Sequence, residues 1–226
     1  DKPDCHDLEL SSDGVAYLVG GMYVVNTRTN ARSKVPIPGG GHSVERAPDG
    51  DFWVTAPGPE TLVHVSAATG QSTSYPHPRI GEDLGSYPHT LRFDAEGVIW
   101  ETLTRSNHVA SFDPKTAEFR YYRLPPADPE VSGVPIAVAY GLDVGPDGTV
   151  WWSQLFGHRI GLVNPKTGEQ RSWRTPFLGP RRLSVGADGA VWVPGYGSSE
   201  LGRFDPATET WRVWNLPTRP LGSELP

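Results

Sequence analysis

Residues 141–173 read GLDVGPDGTVWWSQLFGHRIGLVNPKTGEQRSW, and two pieces of that stretch return along the whole chain. The first, GPDGTVW at 145–151, matches SSDGVAY at 11–17, APDGDFW at 47–53, DAEGVIW at 94–100 and GADGAVW at 186–192. The second, NPKTGE at 164–169, matches NTRTNA at 26–31, SAATGQ at 66–71, DPKTAE at 113–118 and DPATET at 205–210. A period of roughly 40 to 50 residues marks a propeller or a solenoid. Asp-Gly between apolar runs is hairpin chemistry, because glycine accepts the positive φ that a tight turn demands. Each unit thus reads strand, tight turn, aromatic strand, variable loop, strand, tight turn, strand, then a Pro-rich connection. No window shows the 3.6-residue apolar spacing of a helical solenoid. The expected fold is all-β: a β-propeller of four-stranded antiparallel blades, five of them visible. The blades run over 1–39, 40–78, 79–128, 129–177 and 178–217, in one domain spanning 1–226, with 218–226 as linker or tail.

The bulk properties agree. The 226 residues are 37% hydrophobic, enough for one core, and the 26 Gly and 23 Pro demand frequent turns. A formal charge of −6 with no run of like charges leaves no basic stripe, which argues against nucleic acid. No segment has the roughly 18 consecutive apolar residues of a membrane span, and DKPDCHDLEL at 1–10 lacks the charged and apolar regions of a signal peptide. A soluble, mature or trimmed chain, monomeric, is expected. The single cysteine, Cys5, excludes an internal disulfide and is compatible with periplasmic, secreted or cytoplasmic residence alike.

Antiparallel strands put both tight turns of every blade at one end of the disc and the variable connections at the other, where function belongs. The connections YPHPRIGEDLGSYP at 75–88 and RLPPADPEVSGVPIAVA at 123–139 are long enough to wall a channel mouth. Eight residues before each turn glycine stand His6, His42, His89, Tyr140 and Arg181, a ring expected at that mouth. The histidines are candidates for a general base or metal ligand, or for strand caps that tie a loop carbonyl to its blade. Three residues further on, Glu9, Glu45, Arg92, Asp143 and Ser184 form a second polar ring: an internal ion-pair ring, or a cation site held by Glu9, Glu45 and Asp143. Glu60, Arg105, Asn107, Gln154, His158 and Tyr196, from the loops between second and third strands, add polar contacts to the same face. His64 and His77 lie outside the columns and read as structural or solvent-facing. Trp53, Trp100, Trp151 and Trp192, one per blade, read as core between blades.

The phrases at 141–173 and RRLSVGADGAVWVPGYGSSELGRFDPATETWRVWNLPT at 181–218 resemble blades of the virginiamycin B lyase (streptogramin lyase) family. The resemblance implies a seven-bladed propeller, with about two further blades after Pro226. It also implies metal-assisted C–O elimination that opens a cyclic depsipeptide ester, with a histidine base and Mg2+. On that reading His42, His89 and His6 are catalytic, and Tyr140, Arg181, Arg92, Gln154, His158, Tyr196 and Asn107 meet a small-molecule or peptide-like ligand. The family's metal-binding glutamates are not matched: Gly40 and Tyr87 precede His42 and His89, Asp4 precedes His6, and Ala56, Leu103, Gln154 and Gly195 follow the tryptophans. A non-catalytic ligand- or protein-binding propeller is the alternative, and an SMP-30-like lactonase the third reading.

Overall fold

The computed structural model describes residues 5–11, 14–20, 23–80, 85–127, 130, 133 and 135–217. Among the described residues twenty strands form five four-stranded antiparallel sheets, each in simple chain order. The first blade holds β1 (Cys5–Leu10), β2 (Val15–Gly20), β3 (Tyr23–Asn26) and β4 (Arg32–Lys34). The second holds β5 (Ser43–Arg46), β6 (Phe52–Ala56), β7 (Thr61–Val65) and β8 (Ser72–Pro76), and the third β9 (Pro88–Phe93), β10 (Ile99–Leu103), β11 (His108–Asp113) and β12 (Glu118–Arg123). The fourth holds β13 (Ala139–Val144), β14 (Val150–Gln154), β15 (Arg159–Val163) and β16 (Gln170–Arg174). The fifth holds β17 (Ser184–Val185), β18 (Val191–Gly195), β19 (Glu200–Asp205) and β20 (Thr210–Asn215).

The turn chemistry explains the hairpins. Gly14, Gly50, Gly97, Gly148 and Gly189, the last residues of the first turns, all have φ between +77° and +96°, where a side chain would be strained. At the second turn the left-handed position holds Gly70 and Gly168 in two blades but Asn30, Ala117 and Glu209 in the others. The loops between second and third strands are less variable than their sequences suggest. In the second to fifth blades each is a four-residue turn ending in a left-handed residue, Glu60, Asn107, His158 or Ser199, so only the side chains differ.

Blades stack through aromatic pairs. Trp53 with Tyr75, Trp100 with Tyr122, Trp151 with Trp173 and Trp192 with Trp214 lie 5.4 to 5.7 Å apart, one pair in each of the second to fifth blades. Phe112 of the third blade packs on Trp53 and Tyr75, and Phe204 of the fifth on Trp151 and Trp173. Trp53, Trp100 and Trp151 are therefore core, as their repeated spacing predicts, whereas Trp192 in the last blade is half-buried.

The innermost strands pack in the order β1, β5, β9, β13, β17, and no comparable packing joins β17 back to β1 among the described residues. The arc is open. Leu8 and Leu10, the counterparts of the buried Leu91 and half-buried Phe93, are 53% and 59% exposed, and Trp214 and Leu216 at the other end are each 43% exposed. Among the described residues no helix is long and apolar enough to cross a membrane.

Candidate functional site

The five residues of the first column converge. Ring centroids of His6 and His42 lie 3.7 Å apart, of His42 and His89 3.8 Å, and of His89 and Tyr140 4.1 Å. The Arg181 guanidinium continues the row, 5.1 Å from the Tyr140 ring and 4.5 Å from that of Tyr196, and its Nε donates to the Tyr140 hydroxyl at 2.9 Å. The column thus runs across all five blades as one stack. It closes from exposed His6 to His42 at 9% and His89 at 3% exposure.

Hydrogen bonds set the tautomers. Nδ1–H of His6 donates to the His42 carbonyl at 3.1 Å, and Nδ1–H of His42 to the His89 carbonyl at 3.3 Å. The Thr90 hydroxyl donates to the Tyr140 carbonyl at 2.9 Å, so it accepts Nδ1–H of His89 at 3.0 Å. A ring that donates from Nδ1 keeps its basic lone pair on Nε2. No hydrogen bond engages Nε2 of these three rings among the described residues. Burial, then the neighbouring His6 and the Arg182 charge, lower the His42 pKa to about 4, even though the His89 carbonyl favours its cation. Burial, His42 and Arg182 lower His89 to about 2. Both rings are neutral near pH 7.

The same carbonyls also accept hydroxyls from the preceding blade. Thr55 donates to His89 O at 2.8 Å, Thr102 to Tyr140 O at 2.9 Å and Ser153 to Arg181 O at 2.8 Å. These hydroxyls stand two residues after each blade's Trp, a repeated polar position the sequence displays and our reading passed over. Gly141 permits the tightest approach: a Cβ there would stand 2.8 Å from the Arg181 carbonyl and from Arg182 Cα. Arg182, whose charge reaches both buried histidines, was also not singled out from sequence.

The second ring is an ion-pair ring. Arg92 Nη1 donates to Glu45 Oε1 at 2.6 Å, and its Nε lies 3.9 Å from Asp143 Oδ1. Asp143 Oδ2 accepts the Val185 amide at 2.8 Å. Burial raises the Glu45 pKa to about 7 against the pull of Arg92, with Glu9, Asp7 and Asp143 adding to the rise. Burial, then Asp7, raises Glu9. Among the described residues no three His, Cys, Asp or Glu side chains gather as a metal site. Glu9, Glu45 and Asp143 face a guanidinium already in place, so these residues do not fit a resident Mg2+. Asp4 lies outside the described residues.

The loop residues divide. Tyr196 is exposed and sits on Arg181. Gln154, read from sequence as a ligand contact, is fully buried instead; its Nε2 donates to Asn107 Oδ1 at 2.8 Å and to Pro125 O at 2.7 Å. Asn107 donates to Pro125 O at 2.9 Å as well, so the pair clamps the 123–139 connection and does not open to solvent at the mouth. His158 Nδ1 accepts the Gly179 amide at 3.1 Å, which fixes the opposite tautomer from the stack, and burial lowers its pKa. Arg92 belongs to the ion-pair ring. His64 pairs with Asp51 at 2.9 Å, and His77 is buried beside Glu101, so both are structural.

No protein-family model and no curated protein matches the sequence. Solved structures do. The virginiamycin B lyase of Staphylococcus aureus, in a catalytically inactive form with quinupristin, superposes with TM-score 0.81 at 18% identity, over 95% of this chain and 71% of that one. This chain has the virginiamycin B lyase propeller fold. A streptogramin B lyase gives TM-score 0.79 at 22% identity over 94% of this chain and 68% of that one. The periplasmic gluconolactonase PpgL of Pseudomonas aeruginosa gives 0.72 at 20% identity over 93% and 69%. The streptogramin-lyase fold thus places the five blades, and at these identities it speaks to architecture alone.

Proposed function

We propose that the histidine end of the propeller binds a small cyclic ester and opens it by proton abstraction and C–O elimination, with His42 as the base. The observation that carries this is the stack itself: three imidazoles whose Nδ1 atoms are committed, leaving Nε2 unpaired and, on His42 and His89, unprotonated near pH 7. A base must be unprotonated, oriented and within reach of the proton it takes. In the step, Nε2 of His42 takes a proton from the carbon next to the ester-bearing carbon. The electron pair forms the C=C bond, and the C–O bond breaks to release a carboxylate. His6 lies next to solvent and Tyr196 offers an exposed ring to an apolar ligand. The guanidinium of Arg181, held on Tyr140, is placed to meet the departing carboxylate. The Mg2+ that the family resemblance implies has no ligand set among the described residues, and no step is routed through it.

A second reading rests on the burial of His89 and on the Nδ1 ties to backbone carbonyls, which are the bonds of strand caps. On it the stack is structural, and the mouth binds a ligand without changing it. Mass spectrometry of a type B streptogramin incubated with the chain separates the two. A linear product of unchanged mass, lost in His42→Ala, supports elimination. Saturable binding with no product supports the second reading, and a product heavier by one water would overturn elimination in favour of a hydrolase.

A further inference from the structure

The end of the disc opposite the histidines carries a cleft of about 690 Å³ between the third and fourth blades. Particular residues open it. The residue paired with the inner Trp is His64 in the second blade, Leu162 in the fourth and Arg203 in the fifth, but Ser111 in the third. On the facing blade, the bulky pairs Phe112 with Phe119 and Phe204 with Trp211 recur in the third and fifth blades, whereas the fourth has Val163 with Gln170. Ser111 leaves the third-blade wall short of bulk beside Trp100 and Tyr122, Thr149, Asn164 and Lys166 line the fourth-blade side, and the volume left is that of a small-molecule site.

Ser111 is 6% exposed, lines the cleft, and its Oγ makes no hydrogen bond among the described residues. The residue is buried while its hydroxyl oxygen opens to the cleft, where a ligand donor can reach it. Asp94, Glu96, Asp113, Glu118 and Asp147 line the cleft against two cations, Arg120 and Lys166. Asp94 is committed to the Trp100 indole N–H at 2.8 Å and Asp147 to the Thr149 hydroxyl at 2.9 Å. The carboxylates of Glu96 and Glu118 have no hydrogen bond or ion pair among the described residues and remain available.

We propose that this cleft is a binding site for a small organic cation, an ammonium group on an apolar body. Glu96 and Glu118 receive the charge, Ser111 Oγ accepts an ammonium N–H, and the body lies against Tyr122 and the edge of Trp100. The site shares no residue with the histidine stack and does not rest on its chemistry.

The Trp100 indole N–H, hydrogen-bonded at the cleft floor, is a local reporter in two-dimensional NMR. Titration with benzylammonium is expected to shift it saturably, with benzyl alcohol at least about tenfold weaker, and added salt is expected to weaken the cation. Ser111→Leu should remove the shift by filling the cleft, and the double variant Glu96→Gln/Glu118→Gln should weaken benzylammonium severalfold with the melting temperature unchanged. Where Ser111→Leu fails to fold, the double variant carries the test. Equal binding of the amine and the alcohol overturns the cation assignment. A filled cleft that titrates like the parent chain, or no saturable shift with either probe, overturns the site.

Discussion

A single proton decides what the histidine stack can do. In His42 the ring is desolvated and a neighbouring His6 and Arg182 oppose its cation, so the base stays free of protons well below neutrality. If the stack carries out the proposed elimination, kcat/KM should keep its value on acidification past pH 6.5, with its acid limb near pH 4; a limb near 6.5 would show a solvated base and count against His42. His42→Ala should lower turnover by about 10² or more, the ordinary contribution of a general base. It also removes one of two hydrogen bonds to the His89 carbonyl, which keeps the one from Thr55, a loss of about 0.5–1.5 kcal/mol, so melting should fall by less than about 10 °C. Collapse of the fold would assign the stack to structure alone. The same depressed pKa has a stability consequence. Below pH 6.5 the unfolded chain binds a proton at this histidine that the folded chain refuses until about pH 4, so stability falls as pH drops through that window. The loss at pH 4 is about 3 kcal/mol for His42, and urea midpoints at pH 7 and 4 should lie closer together in His42→Ala. Glu45 acts in the opposite sense: its raised pKa makes its contribution fall as pH rises from 4.5 to about 7. Such protonation states were out of reach of the sequence, because each depends on what four other blades place around the ring.

At the scale of the element, turns and connections carry the argument. Ala117 holds a left-handed conformation, φ 57°, at the position where the second and fourth blades use glycine. A side chain there costs about 1–2 kcal/mol, so Ala117→Gly should raise the melting temperature by a few degrees in calorimetry; an unchanged value would mean that Gly's unfolded-state entropy offsets the relief. The 75–88 connection is anchored at His77. Its Nε2 lies 3.2 Å from Glu101 Oε1, out of line for a hydrogen bond, and both side chains are fully buried. His77 Nδ1 lies 3.2 Å from the Tyr121 hydroxyl, and burial together with Glu101 pushes that phenol up. Removing one member of a buried ionisable pair costs about 3–5 kcal/mol, so Glu101→Ala should shift the urea midpoint far more than the exposed change Glu118→Ala. Comparable shifts for the two would show that the pair carries no weight. The sequence displayed the connection and its histidine but not this anchor, since Glu101 sits in a strand whose neighbours are apolar and nothing local announces its partner.

At the scale of the molecule, an open arc has two kinds of face. Leu91 is buried against the second blade, whereas Leu8, at the same place in the first blade, has no blade before it among the described residues. Leu91→Lys should therefore unfold the chain, while Leu8→Lys should cost less than about 1 kcal/mol by urea denaturation. A large penalty at Leu8 would mean that its face is covered.

The repeat was fully legible in the chain: two turn signals per unit, turn glycines, one aromatic residue per blade at a fixed place and a polar column at constant offset all act over a few residues, so their chemistry is written locally. That locality is why the fold class and the order of strands needed nothing more. What the column does was not local. Whether His42 caps a strand or holds a proton acceptor depends on the carbonyl that its Nδ1 meets 47 residues away and on the charge of Arg182 from the fifth blade. Likewise, the carboxylate ring became an ion-pair ring only when packing placed Arg92 between Glu45 and Asp143, and the cleft exists only where Ser111 on one blade meets the turns of the next. Those outcomes were decided by tertiary structure, because desolvation and complementarity are properties of two surfaces brought together and neither surface contains them alone.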